Sequence, residues 1–182
     1  GREHEIGLLL DRWERAREGE GQVVLLSGEP GIGKSRIVRA LRARLANEPH
    51  TPLSHYGSPH HTNSALYPVI ELLERAAGFT RDDRAAARLD KLIALLSQAT
   101  EALGEVVPPV AALLGIETGQ RYPELALTPQ QQKQRTVKAL LDQVEGLAAL
   151  KPVLAVYEDV HWVDASTLEV LGQLIERVQR LP

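Results

Sequence analysis

The chain has 182 residues, 43% of them hydrophobic and 25% charged, with a formal net charge of −3. That is enough length for one domain with a real core, and the charge balance gives no electrostatic ground for nucleic acid as a partner. No apolar run approaches membrane-spanning length and no signal peptide opens the chain; with no cysteine, disulfides are excluded and a reducing, cytoplasmic setting is the compatible one.

The first predicted element is an amphipathic helix from Glu3 to Arg17, because Ile6, Leu9, Leu10 and Trp13 recur at helical spacing. Gly19 and Gly21 close it. Gln22 to Ser27 is a short apolar run rich in β-branched residues, which predicts a strand buried on both faces of a parallel sheet. Gly28-Glu29-Pro30-Gly31-Ile32-Gly33-Lys34-Ser35 follows and reads G-x-x-x-x-G-K-S, the phosphate-binding loop signature. Lys34 to Ala46 predicts a helix with Ile37, Val38, Leu41 and Leu45 on one side. Arg36, Arg39, Arg42 and Arg44 fall mostly elsewhere, as a solvated face would. Asn47-Glu48-Pro49 ends that helix, since proline cannot continue it.

A glycine-rich loop between a strand and a helix has one well-understood use. Gly28, Gly31 and Gly33 let the backbone curl and approach an anion without a Cβ clash. The helix start adds unpaired N–H groups and the positive end of its dipole. Lys34 is placed to neutralise the β- and γ-phosphates of a nucleoside triphosphate, and the Ser35 hydroxyl to ligate Mg²⁺. Glu29, Pro30, Ile32 and the adjoining Arg36 are counted with the loop as nucleotide-contacting positions.

Further along, Pro52 to Ser58 predicts a second strand, Pro59 to Asn63 a loop, and Ser64 to Ala77 a helix. Gly78 to Thr128 is helical in parts and carries no motif. Arg81 to Gln98 forms helix readily, Pro108-Pro109 breaks it, Val110 to Leu114 is another short helix, and Gly115 to Leu127 is loop-like. Thr128, Pro129 and Gln131 are start signals for a long helix to about Leu150. Val153 to Tyr157 is a fully apolar strand. A polar segment from Glu158 to Asp164 leads to Ser166-x-x-Glu169, a capping-box pattern for a last helix whose apolar stripe is Leu168, Leu171, Ile175 and Val178. Strands alternating with helices give an α/β fold with a mostly parallel sheet.

Val153 to Asp159 ends an apolar strand in Glu158-Asp159. In a phosphate-loop enzyme the strand beside the loop presents carboxylates to Mg²⁺ and the γ-phosphate. Position along the strand puts Glu158 on the metal side, with Ser35, and Asp159 on the attacking water as general base. A one-residue shift exchanges those two roles.

With His161-Trp162-x-Asp164 added, the strings GRE at the start, SGEPGIGKS, and YEDVHWVDAST resemble the AAA-type ATPase module of the STAND class of signalling NTPases. The resemblance covers nearly the whole chain except about residues 78 to 128. It implies a three-layer P-loop NTPase fold with a helical insertion over that stretch, and a module of large bacterial regulators fused to cyclase domains or to LuxR-type DNA-binding domains, often with tetratricopeptide repeats. It also implies a nucleotide-side place for Arg2 in the GRE turn, and for His161 a γ-phosphate or water sensor, with Trp162 a packing residue. Such modules continue with another strand, a sensor and a lid, and that strand lies between the phosphate-loop strand and the acidic strand. The sheet of residues 1 to 182, the N-terminal part of such a domain, is therefore expected to be incomplete at its C-terminal end, with exposed edges open to self-association.

These readings combine into an ATP- and Mg²⁺-dependent switch that hydrolyses slowly and answers to other domains of its own polypeptide, without direct nucleic-acid or membrane contact. The alternatives are a nucleotide-binding scaffold without turnover and a nucleic-acid-remodelling AAA+ ATPase. His50, His55, His60 and His61 fit no metal-site spacing and have no cysteine to help them, so a polar surface loop is the better reading of that cluster.

Overall fold

The computed structural model describes residues 2–122, 126–179 and 181. Gly1 of the GRE string, part of the 115–127 loop and Pro182 lie outside the described residues. Helices α1 (Glu3–Arg17) and α2 (Lys34–Arg44) come first, followed by strand β1 (Thr51–Tyr56). Then come α3 (Tyr67–Ala77), α4 (Ala85–Leu96), α5 (Leu103–Leu113) and the long α6 (Pro129–Leu150). Strand β2 (Val153–Glu158) and α7 (Ala165–Val178) complete the order.

Strands β1 and β2 pair in parallel, with Thr51 opposite Val153 and Tyr56 opposite Glu158. The pairing is extended at each end by Thr51 N–H donating to the Pro152 carbonyl and Gly57 N–H donating to the Glu158 carbonyl, both at 2.9 Å. Alternation along the strands then sorts the side chains. Leu154 packs with Trp13, Leu41 and Leu45 of the α1–α2 side. His55 and Tyr157 point the other way and stack, with ring centroids 4.1 Å apart.

The larger core lies among α3 to α7, where Leu92, Leu96, Val107, Val110 and Leu141 are almost entirely buried. This burial explains why α5 runs through Pro108 and Pro109 instead of breaking there. The two prolines forfeit two helical hydrogen bonds, but Val106, Val107, Val110 and Ala111 are sealed in the core on either side of them. At α6 the capping box forms as read: the Thr128 hydroxyl accepts from Gln131 N–H, and the Gln131 side chain accepts from Thr128 N–H.

Residues 22–27 differ from the expectation. They form no strand, and the parallel sheet of the described residues contains β1 and β2 alone. Val23 is 54% exposed and Leu25 83%. The apolar run is therefore extended in composition but has no ladder to join. At its start Gly21 meets the carbonyl of Val178 at the end of α7 so closely that a Cβ there would collide with it. On α7 the expected stripe is also displaced. Thr167, Val170 and Leu174 are the buried residues, while Leu168 and Ile175 stay 45% and 41% exposed.

These burial differences set stabilities. In the 182-residue chain Leu25→Lys is expected to change unfolding free energy by less than about 0.5 kcal/mol. Leu92→Ala, in the sealed core, costs about 2–5 kcal/mol. Urea denaturation of the two variants beside wild type checks the contrast.

Candidate functional site

The phosphate-binding loop is shaped by its own glycines. Gly31 and Gly33 take φ of 79° and 105°, a region that other residues enter only with strain. Gly33 caps α2, so the first N–H groups of that helix open toward the loop. A Cβ built at either glycine meets no atom within 4 Å, so the space over the loop backbone is open. The Lys34 ammonium is folded onto this loop and donates to the carbonyls of Gly28, at 2.9 Å, and Glu29, at 3.1 Å. Arg2 reaches the same loop from α1. Its guanidinium donates to the Ile32 carbonyl at 2.7 Å and to Glu5 at 2.7 Å. Gly28 to Ser35, Arg36 and Arg2 are thus gathered in one place, and Ser35 and Arg36 are exposed.

The second half of the site is the loop after β2. Glu158 ends the strand and its side chain is 19% exposed. Asp159 is exposed and left-handed, with φ 56°, and its carbonyl accepts from Trp162 N–H at 2.8 Å as a short 3-10 turn forms over Val160–Trp162. Gly57 packs against this turn, where a Cβ would collide with the Asp159 carbonyl. His161 is exposed beside Trp162, their rings 4.9 Å apart. Trp162 is itself 41% exposed, with its remaining surface covered by neighbours that include His161 and Gly57.

Two residues tie the acidic strand and its loop to the rest of the fold through contacts that the sequence reading did not assign them. Arg42, read as part of a solvated face, instead donates to the Ser54 hydroxyl at 2.9 Å and lies 3.8 Å from Glu158. It joins the helix of the phosphate loop to the acidic strand, and the spacing of arginines on α2 carried no sign of that. Asp164 is the true cap of α7, where Ser166 was expected. One carboxylate oxygen accepts from the N–H groups of Ser166 and Thr167, both at 2.9 Å, and the other from the Thr167 hydroxyl at 2.5 Å. The first oxygen also takes the N–H of Leu66, at 3.0 Å, across from the start of α3. Burial pushes the Asp164 carboxyl up, but the hydrogen bonds from the Thr167 hydroxyl and from the Leu66 and Thr167 backbone outweigh this and hold it below the ordinary value. An acidic residue directly before Ala165-Ser166-Thr167 was the available signal.

The histidines do not converge. His50 packs edge-on against Trp13, His55 stacks on Tyr157, and His61 stacks on Tyr67 at 3.7 Å. Among the described residues no group of three or more His, Cys, Asp or Glu is placed to hold a metal ion. His55 is buried, and its Nδ1 has no hydrogen-bond partner among the described residues. Burial pushes its imidazole down to about 4, with nearby Arg75 adding to the shift and a hydrogen bond to the Pro68 backbone opposing it.

A glycine-rich loop of the G-x-x-x-x-G-K-S pattern at a helix start, in a chain whose parallel strand ends in a carboxylate, is the feature set of a P-loop nucleotide-binding protein. The chain matches the AAA ATPase domain model over residues 1–182 and belongs to that family, whose members are ATPases on the P-loop NTPase fold. Over its full length it is 27% identical to an uncharacterized protein of Rhizobium meliloti (strain 1021), and it spans 17% of that relative. No solved structure matches it significantly. Among the described residues no helix is long and apolar enough to cross a membrane.

Two measurements follow from this geometry. Removing the Asp164 carboxylate strips the α7 cap and leaves the Leu66 N–H unpaired, so Asp164→Ala is expected to cost about 2–4 kcal/mol in chemical denaturation. His55 is neutral when folded and gains its proton more readily when unfolded. Stability is therefore intact above pH 6.5 and falls as pH drops toward 4, by up to about 3 kcal/mol from this group. His55→Phe should flatten that part of the pH–stability profile; a slope equal to wild type would contradict it.

Proposed function

We propose that this chain is the ATP- and Mg²⁺-binding switch domain of a multidomain signalling or transcriptional regulator of the STAND class, acting in the cytoplasm and hydrolysing ATP slowly. The observation that carries the reading is the cradle of Gly28 to Ser35 opening beside the Lys34 ammonium. The fact that the chain spans 17% of its relative supports a setting among other domains. The exposed Val23–Leu25 run and the open stripe on α7 support a larger three-layer sheet, completed by a further strand and open to association until then.

The donors suit the ligands. Backbone N–H groups and an ammonium fit phosphate, while a hydroxyl and a carboxylate fit Mg²⁺, which prefers hard oxygen ligands. When bound, Mg²⁺·ATP supplies the transferable phosphoryl group and part of the charge neutralisation. Lys34 exchanges its loop carbonyls, Gly28 and Glu29, for the β- and γ-phosphate oxygens. Ser35 and Glu158 would hold the metal. Asp159, exposed at the strand end, accepts a hydrogen bond from the attacking water and draws its proton, and His161 contacts the same water or the γ-phosphate. Arg2 buttresses the loop through Ile32 and reaches the nucleotide side. Slow turnover suits a switch, because the triphosphate form must persist long enough to be read.

The test uses calorimetric nucleotide affinity and phosphate release together. Lys34→Ala is expected to weaken ATP affinity by roughly tenfold or more, the loss of a charge-assisted contact. Asp159→Ala is expected to keep affinity and lower turnover by on the order of a hundredfold. Undiminished affinity in Lys34→Ala would sink the phosphate assignment. Binding with no turnover in wild type would favour the scaffold reading instead.

A further inference from the structure

Glu158 and Asp159 are neighbours in sequence but differ in surroundings. Asp159 is exposed and forms no ion pair among the described residues. Glu158 is mostly withdrawn from solvent, and its Oε1 lies 3.8 Å from Arg42 Nη1. The other guanidinium nitrogen, Nη2, is anchored to the Ser54 hydroxyl at 2.9 Å. Ser54 sits in β1, two positions before Tyr56, which pairs with Glu158. The guanidinium thus lies across both strands, fixed at one end to β1 and facing the carboxylate of β2 at the other.

Arg42 belongs to the same helix as Ser35, but lies roughly 10 Å further along its axis. Its charge therefore draws Glu158 toward the middle of α2, away from the Ser35 hydroxyl. We propose that Arg42 is a positioning residue that holds Glu158 in the metal-free state and competes with the divalent cation for that carboxylate. The inference rests on the reading of Glu158 as the metal-side carboxylate. Two effects act with one sign. The cation must draw Glu158 out of its 3.8 Å ion pair with the guanidinium, and it must do so near a positive charge fixed by Ser54. Arg42 loses only one of its two partners on release, since Ser54 stays bound, so α2 remains tied to β1 while Glu158 turns to the metal. The exchange makes metal entry a change in the contact between the loop's helix and the acidic strand.

The experiment measures affinity of the full chain for ATPγS by calorimetry across a buffered Mg²⁺ series, with an EDTA arm. Arg42→Gln is expected to lower the Mg²⁺ concentration at half-effect by about fivefold, the scale of a partly buried ion pair, and to leave affinity in EDTA near wild type. Arg42→Lys, which keeps the charge and loses the fork, should fall between the two. In a Glu158→Gln background the Arg42→Gln shift should vanish. A midpoint unchanged or raised in Arg42→Gln, or a shift that survives in Glu158→Gln, overturns the inference. Should Arg42→Gln fail to fold, Arg42→Lys decides alone, and a wild-type midpoint there overturns it. Absence of any ATPγS binding in wild type removes the functional reading and this inference with it. Mg²⁺-dependent wild-type binding with an unresponsive Arg42 removes only the latter.

Discussion

The parallel pairing of β1 with β2 is the constraint on which the rest of the structure depends. It joins Thr51–Tyr56 to Val153–Glu158, segments about a hundred residues apart in the chain. A parallel pair needs a long crossover, and here the crossover is the whole helical stretch from α3 to α6. The register sets Tyr56 opposite Glu158 and so brings the loop after β1 against the acidic loop. Gly57 then donates to the Glu158 carbonyl and leaves no room for a side chain beside Asp159. The same register lays Ser54 where Arg42 can bind it and still face Glu158.

The phosphate loop depends on this pairing much less. Its cradle comes from left-handed glycines, the start of α2 and the grip of Arg2 on Ile32, all close in the chain or in α1. It can therefore be formed although the run before it has no partner strand. Without phosphate, the Lys34 ammonium satisfies itself on the Gly28 and Glu29 carbonyls. In the proposed nucleotide complex, exchange of those neutral acceptors for anionic oxygens would be favourable because charge-assisted bonds are stronger.

Arg42 ties the helix of the phosphate loop to the two strands, and Asp164 ties the acidic loop to α3 and α7, each placed by tertiary structure. Asp164 spends one buried carboxylate on two jobs, closing α7 and fixing the turn into α3 at Leu66. Leu66 is left-handed, with φ 58°, and its N–H is held by that carboxylate. The acidic loop is thus pinned at Gly57 on one side and at Leu66 on the other.

Much of the chemistry was legible in the sequence because it is local. The G-x-x-x-x-G-K-S run, the Thr128 capping box, the helix from Glu3 to Arg17 and the apolar strand ending in Glu158-Asp159 depend on residues a few positions apart. What needed the fold were matters of partnership. The apolar composition of Val23 to Leu25 signals a strand, but a strand exists only when another offers it a ladder, and none does among the described residues. Pro108-Pro109 signals a break, yet burial of the valines around it outweighs two lost hydrogen bonds. An arginine on α2 reads as solvated until the sheet places Ser54 and Glu158 within its reach. The sequence alone determined the glycine-rich phosphate-loop motif at Gly28 to Ser35 and an apolar strand that closes on Glu158 with Asp159 next to it, since short-range backbone chemistry dictates both. Only the tertiary structure decided which carboxylate meets Arg42, which residue caps α7 and which apolar faces stay open, because each of these is a contact between segments distant in the chain.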